Sequence, residues 1–366
     1  MLISFSKNKG SDVQEILPIE RFRFSIQMTT LAVLPPYKGG IFRGSFGAAF
    51  RRLVCAIRRD DCATCILKGN CLYVSLFTPS PPADFPDAAK FNPAPPPYVL
   101  NPPLTNRQCF RPGSILDFEL VLMGRAIDAL PYFVHTFMEL GKKGIGRERG
   151  KFEVLRMDVV RDQDVVQIYD GTTKTLRELP AISPPPSHQD EITSITIQLL
   201  TPLRIKSGNH LATKLTFPLF FERLAQRVEL LCAFYGNGKP RPDFQALRDP
   251  ASGIQVRGSH LHWYDWPRYS ARQKTLMRLG GLRGSITFKG ELGRFIPLLR
   301  MGEKVNVGQG TSFGLGRIKR VLTRRHEDTE GMIDSFGSPT DQGEHQSRRK
   351  IPRNGDFSRD GEKGEN

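Results

Sequence analysis

The stretch ITSITIQLL, residues 192–200, begins the series of predicted elements that decides the fold of the second half of this chain. Apolar periodicity after it indicates helices and strands in a definite order. These are a helix over 217–234, strands over 254–264 and 284–290, a helix over 292–301 and a strand over 314–321. The resulting β-α-β-β-α-β order is that of a ferredoxin-like, or RRM-like, α+β domain.

The first half of the chain approximates the same order, with an insertion after its first helix. In RFRFSIQM, residues 21–28, apolar residues alternate as they do in a half-buried strand. In FRGSFGAAFRRLVCAIRR, residues 42–59, one helical stripe is apolar and the opposite side is basic. The stripe consists of Phe46, Phe50, Leu53 and Ile57. A strand over 115–124, a helix over 125–141 and a hairpin over 152–169 complete the series.

We therefore predict two tandem ferredoxin-like domains. The first covers residues 1–182 and carries a Cys-rich and Pro-rich insertion over about 55–110. The stretch SPPPS at 183–187 is the predicted linker, and the second domain covers 188–325. The polar residues 326–366 are predicted to be disordered.

The insertion is rich in proline. Ten prolines lie between Pro79 and Pro103. Proline removes a backbone donor and fixes φ, which excludes helix and central strand. We expect an extended excursion on the surface.

Composition and charge point to a polyanionic partner. The 366 residues are 39% hydrophobic, and neither a membrane-length apolar run nor a signal-peptide core is visible, so we expect a cytoplasmic protein without a membrane partner. The net charge is +16, and residues 257–325 alone hold 15 basic and 3 acidic side chains. This concentration favours nucleic acid, the alternative being a basic but merely solvated surface.

The segment VGQGTSFGLGR, residues 307–317, has four glycines in eleven residues. Glycine leaves backbone amides uncovered and allows positive φ, so the segment is expected to approach something closely. No Lys-Ser or Lys-Thr follows the glycines, which excludes a Walker loop, and no helix follows, which excludes a dinucleotide-binding turn.

These residues resemble a known family. Two ferredoxin-like domains ending in GxGTSFGLGRI resemble the RAMP superfamily of CRISPR-associated proteins, whose glycine-rich loop lies against RNA. Three further stretches resemble its repeat-RNA-processing endoribonucleases, the sixth numbered Cas family: YKGGIFRGSFGAAFRR, CATCILKGNCLYVSLF and DWPRYSARQKTLMRLGGLRGSITFKGEL. The resemblance implies cleavage of CRISPR precursor RNA within each repeat, without a metal cofactor.

Metal-independent RNA cleavage needs a base, an acid and a cation for the phosphorane. Members of the family commonly use a histidine near the first helix, with a tyrosine and a lysine. In this chain Tyr37 and Lys38 precede that helix, but the first histidine is His135. His260 and His262, in the basic stretch RGSHLHWYDW, lie on one face of a strand and are the candidate acid and base. The alternative is that both histidines are half-exposed strand residues without chemistry.

Candidate RNA contacts fall into three groups. The first two are Arg43, Arg51 and Arg52 around the first helix, and Arg268, Arg272, Gln273 and Lys274 beside Trp263 and Trp266. Tryptophan can stack on unpaired bases, although core packing is expected for at least one of the two. The third group is the loop, where the glycines would present amides to RNA and Arg317 and Lys319 would add charge. These glycines are Gly308, Gly310, Gly314 and Gly316.

The cysteines carry a separate signal. Cys62-x2-Cys65-x5-Cys71 has metal-knuckle spacing, and cytosolic thiols seldom form disulfides. Tetrahedral zinc needs a fourth ligand, for which Cys55 is preferred and Cys109 competes. An iron–sulfur cluster and free thiols are the alternatives. No cofactor is expected for catalysis, and Cys232 is expected in the core.

Three functions remain open. The first is an endoribonuclease that gives a 2′,3′-cyclic phosphate and a 5′-hydroxyl. The second is a non-catalytic RAMP subunit that holds crRNA with other CRISPR effector subunits, favoured by the lack of a histidine on the first helix. The third is a general single-strand RNA-binding protein.

Overall fold

A sheet of alternating buried and exposed residues forms the centre of the first half of the chain. The computed structural model describes residues 3–4, 13–58, 61–82, 85, 88–161, 164–181, 192–239, 242–270 and 275–323. The predicted linker at 183–187 and the predicted tail at 326–366 lie outside the described residues. All described residues belong to one compact unit, Met1–His326.

The first half contains one complete β-α-β-β-α-β series. Its elements, in chain order, are β1 (Ile19–Met28), α1 (Gly39–Val54), α2 (Leu72–Phe77), β2 (Tyr98–Asn101), β3 (Ile115–Met123), α3 (Leu130–Lys143), β4 (Phe152–Val160), β5 (Val165–Asp170) and β6 (Thr175–Leu176). The sheet order is β2-β3-β1-β4-β5-β6, and every neighbouring pair is antiparallel. The first four strands of this order give the ferredoxin-like arrangement.

The second half repeats the arrangement. Its elements are β7 (Ser194–Leu203), α4 (Phe217–Tyr235), β8 (Gln255–Ser270), β9 (Thr275–Lys289), α5 (Ile296–Val305) and β10 (Ile318–Thr323). The order β8-β9-β7-β10 is again fully antiparallel. The predicted α+β class with two ferredoxin-like series is therefore confirmed.

Shorter elements connect the two series. The short helices are Val13–Ile16 and Arg248–Ser252. The short strand pairs are Ala32–Val33 with Cys109–Phe110, Ile3–Ser4 with Pro242–Asp243, and Lys206–Ser207 with His210–Leu211. Within the described part of the chain, no helix is both long and apolar enough to cross a bilayer.

Two sequence expectations for the first half were wrong. The strand Tyr98–Asn101 is fully buried although it lies in the proline-rich stretch. It can form there because it is the edge strand of its sheet, a position at which nearby prolines are tolerated. The first helix ends at Val54, which leaves Ile57 beyond it, and Leu53 is 37% exposed. The apolar stripe thus stops at Phe50.

Two hydrophobic clusters hold the molecule together. The first is rich in phenylalanine, with Phe46 of α1 stacked at 4.7 Å on Phe137 of α3. The second surrounds α4 and α5 and also includes Val99 and Val121 from the first sheet. Cys232 is buried there, as expected. Since the second cluster takes residues from both halves, the two series share part of one core.

Candidate nucleic-acid interface

The β8–β9 hairpin extends beyond the rest of its sheet. β7 pairs with β9 only as far as Leu282, whereas β8 and β9 remain paired to Ser270 and Thr275. The last part of the hairpin is therefore a two-stranded ribbon. Arg268 lies on this ribbon, and Arg272, Gln273 and Lys274 lie outside the described residues.

Register places both candidate histidines on one face of this hairpin. His260 lies opposite Ser285, and His262 lies opposite Arg283. Residues opposite each other in an antiparallel pair share a face. Leu282 and Ile286, on the alternate positions of β9, are buried in the core, so the histidines face away from the helices. Both histidines are exposed.

Arg283 and Tyr264 lie on the same outward face as the two histidines. The guanidinium of Arg283 lies 5.3 Å from the centre of the Tyr264 ring. Both residues are half-buried and line a cleft with Tyr37 and with residues 103–106 of the first half. Arg283 lies one residue before the strand predicted from the sequence, which began at residue 284. Its place opposite His262 depends on register, which the local pattern did not reveal.

Tyr37 forms structural contacts at the junction of the two halves. Its ring lies 4.6 Å from the ring of the buried Trp266, and its hydroxyl donates a 2.7 Å hydrogen bond to the carbonyl of Phe313. Burial raises the pKa of Tyr37 well above its usual value, and nearby Tyr264 raises it further. The Tyr37 hydroxyl is therefore protonated at neutral pH. Trp263, in contrast, is 41% exposed.

Lys38 is enclosed by backbone carbonyls. Its Nζ donates to the carbonyls of Thr105 at 2.6 Å and Pro36 at 3.1 Å, and the side chain is fully buried. Burial lowers the pKa of Lys38 to about 8. In this position the ammonium holds the segment before α1 against the segment around Thr105.

The glycine-rich loop packs between the two halves. All four glycines have positive φ, and Gly316 approaches the carbonyl of Val307 so closely that no side chain fits. Gly314 packs against Pro102 of the first half. The amides of Gly314 and Gly316 already donate to the carbonyls of Thr311 and Pro202. Gly308 packs against the backbone of Arg204. Contact with RNA is thus left to the exposed tip at Gln309 and Gly310, where it stays a prediction.

The candidate arginines differ in their surroundings. The guanidinium of Arg43 lies between the rings of Phe77 and Phe313, at 4.9 and 5.1 Å. Arg317 forms a 2.6 Å ion pair with Glu119, which joins the loop to β3. Arg51 lies over Tyr73 at 5.8 Å, and Arg52 is exposed. Arg43 and Arg317 therefore serve packing between elements, and Arg52 is the most accessible of the four.

The cysteines lie apart from this face. Cys55, Cys65 and Cys71 line one cavity beside α1, while Cys109 is exposed on the strand paired with Val33. In the described ranges, no three Cys, His, Asp or Glu side chains are gathered in metal-coordinating positions. Zinc therefore stays a prediction here.

Two family models match parts of this chain. Residues 197–318 match the family model described as CRISPR-associated endoribonuclease Cas6. Residues 17–181 match a second family model, described only as an N-terminal domain. An uncharacterized protein of Archaeoglobus fulgidus is 26% identical over 305 residues, which are 80% of this chain and 97% of that protein.

Solved structures with a similar chain course include several Cas6 proteins. A Cas6 product complex has a TM-score of 0.49 at 15% identity, covering 84% of this chain and 100% of that chain. Thermus thermophilus Cas6 has a TM-score of 0.46 at 13% identity, covering 83% of this chain and 98% of that chain.

Proposed function

We propose that this chain, of which residues 197–318 match the Cas6 endoribonuclease family model, binds CRISPR precursor RNA and cleaves it within the repeats without a metal ion. The products would be a 2′,3′-cyclic phosphate and a 5′-hydroxyl. The observation that carries this proposal is the exposed pair His260 and His262 with Arg283 opposite, on the outward face of the basic hairpin.

The three side chains supply the groups that the reaction needs. One imidazole takes the proton from a 2′-hydroxyl, whose oxygen then forms a bond to the adjacent phosphorus. The other imidazole gives a proton to the 5′-oxygen as the phosphorus–oxygen bond breaks. Arg283 is placed to stabilise the negative charge on the phosphorane. Its guanidinium is already held over Tyr264, which reduces the ordering that binding requires.

Binding itself is supported by charge. Residues 257–325 carry 15 basic and 3 acidic side chains. Trp263, exposed on the same hairpin, offers a ring on which an unpaired base can stack. Since its Nε1 donates to Asp265 at 3.1 Å, the indole is oriented before RNA arrives.

A second candidate function is a non-catalytic RAMP subunit that holds crRNA, alone or with other effector subunits. The observation that favours it is the hydrogen bonding of Tyr37 and Lys38. These residues lie just before the first helix, where members of the family are expected to have catalytic residues. The Tyr37 hydroxyl and the Lys38 ammonium are both committed to backbone carbonyls. Neither group is free to act on RNA without a rearrangement of the junction.

Single-turnover cleavage of a labelled repeat RNA in EDTA tests the proposal. The repeat is taken from the array in the same genome, and an RNA with a 2′-deoxy substitution at the cut position is the control. We expect cleavage of the first RNA only, with a cyclic phosphate on the upstream fragment. A strict requirement for Mg²⁺ would contradict metal-independent cleavage. Tight binding without cleavage under any condition would establish the non-catalytic function instead.

A further inference from the structure

The segment between α1 and α2 holds its shape with almost no hydrophobic core. Among residues 61–71, every side chain is exposed except those of three cysteines, which are partly buried: Cys62, Cys65 and Cys71. Both larger aliphatic residues there are exposed, Ile66 by 88% and Leu67 by 44%. The residues that face inward are thus the thiols, while the aliphatic side chains face solvent.

A fourth cysteine is brought to the same place by the end of α1. Cys55 directly follows Val54, the last residue of α1, and Cys71 directly precedes α2. Cys55, Cys65 and Cys71 line one cavity, which Tyr132 of α3 and Leu72 also border. Cys62 lies three residues before Cys65 in the same segment. Cys109 is absent from this cavity and lies on a different strand pair.

The backbone between the cysteines turns tightly. The amide of Lys68 donates to the carbonyl of Cys65 at 3.0 Å, and Asp61 caps the turn before it through Ala63 and Thr64. Within this turned segment Cys62, Cys65 and Cys71 are all partly buried.

Charge around the cavity suits thiolates. The guanidinium of Arg51 lies over Tyr73, and Arg52, Arg58 and Lys68 belong to the same part of the chain. The thiolate is the form of cysteine that binds metal. Four thiolates around one divalent ion leave two negative charges, which these side chains can balance.

We propose that Cys55, Cys62, Cys65 and Cys71 bind one tetrahedral Zn²⁺ that fixes residues 55–71 against α1 and α3. The described thiols are not gathered on one point, so binding turns the side chains inward and releases their protons to solvent. Four protein ligands fill the coordination sphere, which makes the site structural rather than catalytic. The ion would take the place of the core that this segment lacks.

Elemental analysis of the full-length protein, purified without chelator, tests the site. We expect about one zinc per chain in the wild-type protein. Cys62→Ser and Cys65→Ser should lose nearly all of it, and Cys55→Ser should lose more than Cys109→Ser. The Cys109→Ser protein is the matched control, because it removes an exposed cysteine elsewhere. Wild-type protein without zinc, or Cys62→Ser protein with full zinc, overturns the proposal.

A second measurement does not depend on the folding of a variant. Cobalt(II) is added to metal-depleted wild-type protein, and the near-ultraviolet bands that arise from thiolate–cobalt charge transfer are recorded. We expect strong bands that zinc removes in a one-to-one titration and that the Cys109→Ser protein also shows. A cobalt spectrum without thiolate bands overturns the proposal, whether or not the serine variants fold.

Discussion

His260 and His262 occupy a strand whose opposite face is core, and this explains their exposure. Leu261 packs against the second hydrophobic cluster, so its two neighbours must face outward. Tyr37 is different from the histidines. Its phenol has suitable chemistry for catalysis, but its ring is packed against Trp266. The exposure of the histidine pair therefore favours it over the buried Tyr37 and Lys38 as the place of catalysis.

Alanine at His260 or at His262 should slow RNA cleavage by roughly 10²- to 10⁴-fold, the range for loss of one general acid or base. Binding should change much less than the rate, because arginine and lysine side chains supply most of the positive charge that meets phosphate. Single-turnover rates, together with RNA-binding titrations, measure these effects.

His210→Ala is the matched control for the histidine pair, since His210 is exposed on a separate short strand. It should cleave at the wild-type rate. A double His260→Ala, His262→Ala protein with full activity would contradict the assignment and direct attention to Tyr37→Phe. If that variant were also fully active, neither location would carry the chemistry.

The glycine-rich loop is a sequence motif whose contacts stabilise the fold. Its positive-φ glycines let the turn Thr311–Phe313 fit between α1 and β2. Asn306, buried just before it, donates to Asn101 Oδ1 at 2.9 Å and to the carbonyl of Leu315 at 3.1 Å. The loop thus joins the two halves through hydrogen bonds as well as packing.

Gly316→Ala should destabilise the protein by at least about 2 kcal/mol, because an L-residue at φ +67° is strained and its Cβ would meet the Val307 carbonyl. Gly44→Ala is the control with the opposite sign. Gly44 lies in α1, where an added Cβ meets nothing within 4 Å, so alanine should stabilise by about 1 kcal/mol. Denaturant midpoints measure both. Equal effects from the two substitutions would contradict this account of the loop.

Across the chain as a whole, positive charge is the property that we expect to affect RNA binding most. The net charge is +16 although residues 326–366 contribute 10 acidic and 6 basic side chains. The positive charge is therefore concentrated before residue 326, above all in residues 257–325, which include the outward face of the hairpin.

RNA affinity should consequently fall steeply with salt. Each neutralised phosphate adds about 0.9 to the log–log slope for duplex and about 0.7 for single strands. Arg283→Ala should reduce the slope by about one such unit. Arg248→Ala should leave the slope unchanged, because Arg248 pairs with Glu222 at 3.1 Å at the surface of α4. Titrations at several salt concentrations measure the slopes. A flat response, or equal slopes for both variants, would argue against a phosphate footprint at Arg283.

The order of helices and strands followed from the sequence, because apolar periodicity is a property of each segment by itself. In RFRFSIQM the apolar residues are buried and the residues between them are partly buried. Two β-α-β-β-α-β series were predicted on the basis of such patterns. The limits of the hairpin were not, since the pairing of β8 with β9 beyond Leu282 depends on strand register, which the local apolar pattern does not reveal. The histidine pair and the four cysteines were also visible as residue types at informative spacings.

Tertiary structure alone decided which residues meet. Arg283 faces His262 through strand register, and Cys55 joins Cys65 and Cys71 through the place where α1 ends. Likewise, the burial of Tyr37 and Lys38 results from segments far away in the chain, around Phe313 and Thr105. Local sequence carries the period of a strand or helix, but contacts between distant segments depend on register and packing, which are settled only when the whole core forms.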